Sequence, residues 1–419
     1  MKMTIYWSAL VVLAIVVSAS AQEVLEMPAP LALLIAEAKA NNSQVSAATH
    51  AWKAAAHVSQ QVTTLPDPRV TVQQFSVGSP KPFAGYTNSD FAYLGVGASQ
   101  EMPFPGKLSL RGKVAEREAD SQQAAISVTN KDVADAVKSN YLQLAYLQQT
   151  LTILENQKSV LGVLIQDAIA HYQVGQGMQQ DVLQAQVQRT RLVREITMHH
   201  QQVGVLEAQL KALLHRDQGS PDIVTERISE SAMTLTAAEL LDSVRQGSPE
   251  VQASEALVRK QDARLASAKR EARPDFELGY MYENTDRKYR DYYVATLSVR
   301  FPRKKRIDGE IAEAAEMQAQ SRDGLDAQLQ QQRAAVQQQY VQTTSDAELL
   351  REYREGLIPQ AEAAYKATLS AYASNREPFT HVLQYFTDLL DLQLEAAKTL
   401  ADHEIALAHL ESLTGVTLR

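Results

Sequence analysis

The chain repeats itself. One stretch, "FPGKLSLRGKVAEREA", starts at Phe104-Pro105 and opens a long polar-apolar run that ends at "HYQVGQG". A second, "FPRKKRIDGEIAEAAE", starts at Phe301-Pro302 and opens a similar run that ends at "AYASNRE". The Phe-Pro pairs lie 197 residues apart; Tyr172 and Tyr372 lie 200 apart, as do Val182-Leu183 and Val382-Leu383. A near-fixed offset over this distance makes the structural unit half a chain, built twice. Each unit reads as a helix, a strand pair and a helical hairpin too long for an ordinary globular enzyme.

The first repeat covers 22–230, with a β-hairpin at about 69–102 and a long helical hairpin at about 105–214. The second covers 231–419, with a β-hairpin at about 275–301 and a long helical hairpin at about 304–413. Residues 31–62 read as one helix, with Leu31, Leu34, Ile35 and Ala38 at helical spacing, stopped by Pro66-Asp67-Pro68. "TLTAAELLDSVRQGSPEVQASEALVRKQDARLASAKREARPD" is its second copy, and 215–232 is polar and irregular. From about Lys107 to His171 proline is absent and glycine rare; some 60 residues at 1.5 Å each reach roughly 90 Å. Gly356-Leu357-Ile358-Pro359 predicts a kink in the second long helix.

The strands alternate. Phe91, Tyr93, Gly95 and Gly97 share one face, and Ala92, Leu94, Val96 and Ala98 the other. Phe276, Leu278, Tyr280 and Tyr282 line one side of "FELGYMY". Tyr293, Ala295, Leu297 and Val299 alternate against Tyr292, Val294, Thr296, Ser298 and Arg300. Four strands are too few for a closed membrane barrel, which starts at eight, and open edges cannot face lipid. The strands therefore form a soluble sheet or join strands of other subunits.

Residues 1–21 read as an export signal: Lys2, an apolar core over 9–17, and Ala19-Ser20-Ala21 before Gln22. The apolar run is short for a bilayer span of about 20 residues. The chain contains no cysteine, so neither a disulfide nor a lipid anchor on cysteine is expected. A net charge of -8 without a basic stripe argues against nucleic acid as a partner. The glycines lack phosphate-loop or dinucleotide spacing, His199-His200 reads as a surface pair, and His50, His57, His171 and His381 are scattered. No catalytic, cofactor or metal site is expected.

"HYQVGQGMQQDVLQAQVQ", "RPDFELGYMY…YYVATLSVRFP", "FPGK" and "FPRKKR", in this order and duplicated, resemble the TolC-like outer membrane efflux proteins of Gram-negative bacteria, the heavy-metal and resistance-nodulation-division branch above all. The resemblance implies a mainly α protein with a β membrane domain, four strands and long coiled helical hairpins per protomer. It implies a homotrimer in the outer membrane with a large periplasmic portion, its strands in lipid, and passive conduction of metal ions or small toxic compounds. It also implies two protein partners, a periplasmic adaptor (membrane fusion protein) and an inner-membrane pump. Phe104, Pro105, Phe301 and Pro302 would be strand-helix junctions. Tyr172, Gly175, Gly177 and Asp181, with Tyr372, Arg376, Glu377 and His381, would form the periplasmic tip where the adaptor docks. Loops 77–90 and 283–291 would face outside. Arg376-Glu377-Pro378-Phe379 replaces the glycine-containing turn, and His381 stands where Asp181 does, so the two tips are expected to meet the adaptor differently. A protein-secretion channel shares the architecture, and a periplasmic coiled-coil scaffold is the reading in which nothing spans a membrane.

Overall fold

The computed structural model describes residues 29–76, 92–285 and 290–418. The export signal, its cleavage site, the loop at 77–90 and residues 286–289 of the second loop lie outside the described residues.

The segment expected as one helix over 31–62 is two, α1 (Leu31–Asn41) and α2 (Ser43–Thr63). Apolar periodicity runs through the break, so the cause is local. Asn42 adopts an extended backbone, its side chain accepts the Gln44 N–H at 2.8 Å, and its Nδ2 donates to the Leu213 carbonyl at 3.1 Å. A short polar side chain that bonds its own backbone competes with the helix. The second copy breaks likewise at Ser248, between α5 (Ala237–Gly247) and α6 (Pro249–Arg270). Pro249 holds the first position of α6, where its missing N–H costs nothing.

Four antiparallel strands lie in chain order: β1 (Arg69–Phe75), β2 (Tyr93–Met102), β3 (Asp275–Asn284) and β4 (Asp291–Arg300). Each pair of strands leads into a helical hairpin. The first joins α3 (Lys107–Gln173) to α4 (Gln179–Leu213). The 67 residues of α3 span about 100 Å. The second joins α7 (Lys304–Glu352), a π-helical turn (Tyr353–Leu357) and α8 (Ile358–Ala373) to α9 (Phe379–Thr414). The π turn sits where the sequence predicts a kink. Pro359 cannot donate to the helix ladder, which frees a carbonyl one turn earlier, and a π turn accommodates surplus residues within a continuous helix. Lys304 and Tyr372 are three residues further apart than Lys107 and Tyr172, and the π turn takes up part of that surplus.

Packing is distributed along the rods rather than gathered in one centre. Near the hairpin tips, Leu161, Leu164 and Ala168 of α3 meet Ala185 and Leu192 of α4 and Val382 and Phe386 of α9. Farther up, Leu34, Val137, Leu144 and Leu210 make a second cluster, and Leu240, Val251, Val336 and Leu407 a third. The irregular segment after α4 straps across the middle. Gln148 holds the Ile223 carbonyl at 3.0 Å and the Thr225 hydroxyl at 2.7 Å, Tyr141 Oη receives the Glu226 N–H at 2.8 Å, and the Glu404 carboxylate receives the Ser231 N–H at 2.7 Å. These bonds give the strap's buried backbone the partners it needs.

Candidate functional site

The sheet has two chemically distinct faces. The register puts Val70 beside Ala98, Ala98 beside Tyr280 and Tyr280 beside Ala295, and likewise aligns Val72, Val96, Tyr282 and Tyr293. One face thus carries Val70, Val72, Leu94, Val96, Leu278, Tyr280, Tyr293, Leu297 and Val299, all exposed; Val70 is 73% exposed. The opposite face carries Thr71, Gln73, Ser99, Glu101, Glu277, Thr296, Ser298 and Arg300, with Phe75, Tyr93, Met281 and Val294 among them. An exposed apolar face backed by a polar one is the pattern of a sheet with lipid on one side and water on the other. Ten-residue strands fit a tilted bilayer crossing of about 9–11 residues. Toward the end away from the helices Tyr293 stacks on Tyr280 and lies tilted against Tyr282, and at the helix end Phe104 stacks on Phe276, 6.3 Å between centroids. Aromatic rings at both ends suit the two membrane–water boundaries. Among the described residues the outer edges of β1 and β4 have no strand beside them. Also among the described residues, no helix is long and apolar enough to cross a membrane.

The first strand-helix junction is a buried charge cluster. Lys107 is 2% exposed; its Nζ lies 2.9 Å from both Asp275 carboxylate oxygens and 3.2 Å from Glu271. Asp275 also accepts the Phe104 N–H at 2.9 Å. Arg111 donates to Glu271 at 2.8 and 3.0 Å, and Arg270 donates to the Pro105 carbonyl at 2.6 Å while lying over the Phe104 ring. Phe104 and Pro105 thus sit in a bonded junction, as a strand must when it passes directly into a helix. At the second junction Phe301 is 75% exposed, Pro302 half-buried and Lys304 exposed. Sequence reasoning found the Phe-Pro pairs but missed Lys107, Glu271 and Asp275. The available signal was Lys at the same place after both Phe-Pro pairs, and Pro-Asp before both hairpins.

At the other end the two tips share a backbone. The N–H of Gly175 bonds the Tyr172 carbonyl at 3.0 Å and that of Gln176 the His171 carbonyl at 2.9 Å; Asn375 and Arg376 do the same to Tyr372 and Ala371 at 2.8 and 2.9 Å. Gly175 takes φ 75° and Asn375 φ 59°. The left-handed position that glycine fills once is filled by asparagine, the side chain that best tolerates it. The side chains differ. The Asp181 carboxylate accepts the Met178 N–H at 3.2 Å at the start of α4. The counterpart of Met178 is Pro378, which has no N–H, so an aspartate in place of His381 would lack this bond. His381 there pairs with Glu377 at 2.8 Å. Tyr172 is 47% exposed, whereas Tyr372 is 5% exposed, packed on His171 and Phe379 at 4.8 and 5.4 Å. Burial, then the charges of Asp181 and Asp167, raises the Tyr372 phenol above its ordinary range. Gly175, Arg376 and His381 are exposed at the tip; Gly177, Asp181 and Glu377 are half-buried.

Charge also holds the helical body. Burial acts to raise the Glu250 carboxyl, but hydrogen bonds from Lys131 and Ser248 outweigh it and hold it below the usual range. Glu37 is lowered by the two-pronged bond from Arg216, at 2.6 and 2.7 Å, against a smaller effect of burial. On α9, burial and then the neighbouring charges of Glu195, Glu395 and Asp388 raise Asp391.

Residues 34–215 match the family model "Outer membrane efflux protein". No curated protein matches the chain by sequence. Among solved structures, the chain is similar to the CusC channel at 14% identity, over 92% of each chain, with a TM-score of 0.78. It is similar to the outer membrane protein VceC of Vibrio cholerae at 15% identity, over 93% of this chain and 97% of that one, with a TM-score of 0.76. It is similar to the open MtrE outer membrane channel of Neisseria gonorrhoeae at 13% identity, over 93% and 89%, with a TM-score of 0.74. At these identities the likeness is one of fold, and the family match over the first repeat gives it a sequence basis. The sequence match to that family covers residues 34–215, and over the rest of the chain the likeness to these channels is one of fold. Members of that family are outer-membrane channels with a large helical periplasmic portion and act as passive conduits rather than enzymes.

Proposed function

We propose that this chain is the outer-membrane duct of a tripartite efflux assembly, of the branch that serves heavy-metal and resistance-nodulation-division pumps. Three copies, each giving four strands, close one twelve-stranded barrel, and their hairpins continue the bore into the periplasm. The carrying observation is the sheet itself: a contiguous exposed apolar face, a polar reverse face and two open edges, joined directly to helices of about 100 Å. Lipid explains the exposed face only if neighbouring copies pair the edges.

An inner-membrane pump supplies the energy, and the duct conducts metal ions or small toxic compounds passively. A periplasmic adaptor docks at the hairpin tips, on Tyr172, Gly175, Gly177, Asp181, Arg376, Glu377 and His381, with Tyr372 supporting them from inside. The shared tip backbone gives the adaptor six similar sites per trimer, and the Asp181–His381 difference makes them alternate.

The test combines fractionation, conductance and deletion. Processed protein is expected in the outer membrane, with heat-modifiable migration and ion conductance in planar bilayers. Deletion is expected to sensitise cells to particular metals or small toxic compounds. Recovery as purely soluble periplasmic protein would refute the channel, and loss of a secreted protein with resistance unchanged would replace efflux by protein export.

A further inference from the structure

The two junctions are built from equivalent residues, yet only one is closed within the chain. Lys107 follows β2 and reaches Asp275, which begins β3, the strand paired with β2. Lys304 stands in the same place after β4, 197 residues later. Asp67 stands in the same place as Asp275, after a proline and before a hairpin, 208 residues earlier. Both are exposed, and neither has a hydrogen bond or ion pair among the described residues. The strands they flank, β4 and β1, are the two outer strands of the sheet. Phe301 is likewise left exposed where its counterpart Phe104 has the Phe276 ring beside it.

We infer that Lys304 of one copy closes its junction on Asp67 of the next, and that β4 pairs with the neighbour's β1 in the register set by β2 and β3. This rests on the trimeric reading above. The β2–β3 pairing places Ser99 opposite Gly279, Gln100 opposite Leu278 and Ala98 opposite Tyr280. The same offsets place Thr296 opposite Thr71 of the next copy, Leu297 opposite Val70 and Ala295 opposite Val72. Nothing in the offsets forces the faces to agree, since an odd shift would turn each strand over. They do agree: Leu297, Val70, Ala295 and Val72 all fall on the apolar face, and Thr296 and Thr71 on the polar one.

The competing arrangement is a shift of two, which also preserves the faces. Such a shift already separates the two hairpins of the chain. Arg69 lies opposite Ser99, whereas its counterpart Glu277 lies opposite Ser298 rather than Thr296, the counterpart of Ser99. The seam is also chemically thinner than the internal junction. Glu271, the second acid on Lys107, has Thr63 as its counterpart, so Lys304 meets one carboxylate where Lys107 meets two.

The native chain has no cysteine, so introduced pairs report alone. Directly opposed antiparallel residues, about 4.5–5.5 Å apart at Cα, are within disulfide reach. Full-length Thr71→Cys/Thr296→Cys protein, oxidised in outer membranes, is expected to give dimer and trimer ladders on denaturing gels, with Gln73→Cys/Thr296→Cys and each single variant giving none. Lys304→Glu and Asp67→Lys are each expected to lower the trimer-to-monomer ratio in detergent by about tenfold, and the double exchange to restore it. Cross-linking only through Gln73, or no rescue by the exchange, with the wild type still trimeric, overturns the seam alone. A monomeric wild type by native mass overturns the channel reading on which it stands.

Discussion

Replacing Lys107 by methionine tests whether the buried junction fixes the strands to the helical body. The side chains are close in volume, so packing is retained and the change removes chiefly the charge. Breaking a fully buried ion pair from one side costs about 3–5 kcal/mol, because the other charge is left unpaired. Here the acids keep other donors: Asp275 retains the Phe104 N–H and Glu271 retains Arg111. Their side chains are also partly wet, at 18% and 24% exposure against 1% for Lys107. A cation in the first turn of α3 opposes the helix dipole, so its removal returns a few tenths of a kcal/mol. The net loss is about 2–3 kcal/mol, which raises the frequency of local opening by roughly 30- to 150-fold. Hydrogen exchange on the detergent-solubilised protein reads this in peptides spanning 104–112 and 270–278. Arg111→Met is the control: its side chain is 42% exposed, and a pair so exposed contributes under about 1 kcal/mol. Equal loss of protection in the two variants would refute the claim that Lys107 holds the junction.

Two further outcomes follow from the helical body. A Cβ on Gly247 would lie 1.6 Å from the Thr414 carbonyl oxygen, so Gly247→Ala requires the end of α9 to move. Backbone has no rotamer to escape into, so a loss of roughly 3 kcal/mol or more is expected, seen as lower folded yield and a lower Tm; an unchanged Tm would show that the two helix ends are not in contact. The Glu37–Arg216 pair gives a pH dependence of definite sign. Its folded carboxyl lies below the ordinary value of 4.5, so the stabilisation is present above about pH 4.5 and lost as pH falls through the folded value. Both side chains are about one-third exposed, which limits the effect to about 1 kcal/mol. Protection of α1 between pH 6 and pH 3 is expected to fall more in the wild type than in Glu37→Gln, and parallel curves would exclude the pair as its source.

What was legible in the sequence is what repeats locally. Strand alternation, the Phe-Pro transitions and the unbroken helical runs each follow from neighbours a few positions away, and the structure has a strand, a junction or a helix at each. The helix breaks at Asn42 and Ser248 escaped because apolar periodicity continues across them and one side-chain hydrogen bond decides the backbone. The Lys107–Asp275 contact escaped because its partners lie 168 residues apart, and only the strand pairing brings them together. The tips show a different limit. The second tip lacks the glycines of the first in sequence, yet Asn375 adopts the same left-handed backbone as Gly175 and the hydrogen bonds recur in both copies. Conversely, Tyr172 and Tyr372 look equivalent, yet one is exposed and the other is core. A duplicated chain does not give its two copies equivalent surroundings: α9 packs on α3 within the chain, and Tyr372 lies in that contact. Equivalent residues differ in burial at both ends, Lys107 against Lys304 and Tyr372 against Tyr172, and in the proposed assembly the exposed members, Lys304 and Tyr172, are the ones that face another copy or the adaptor.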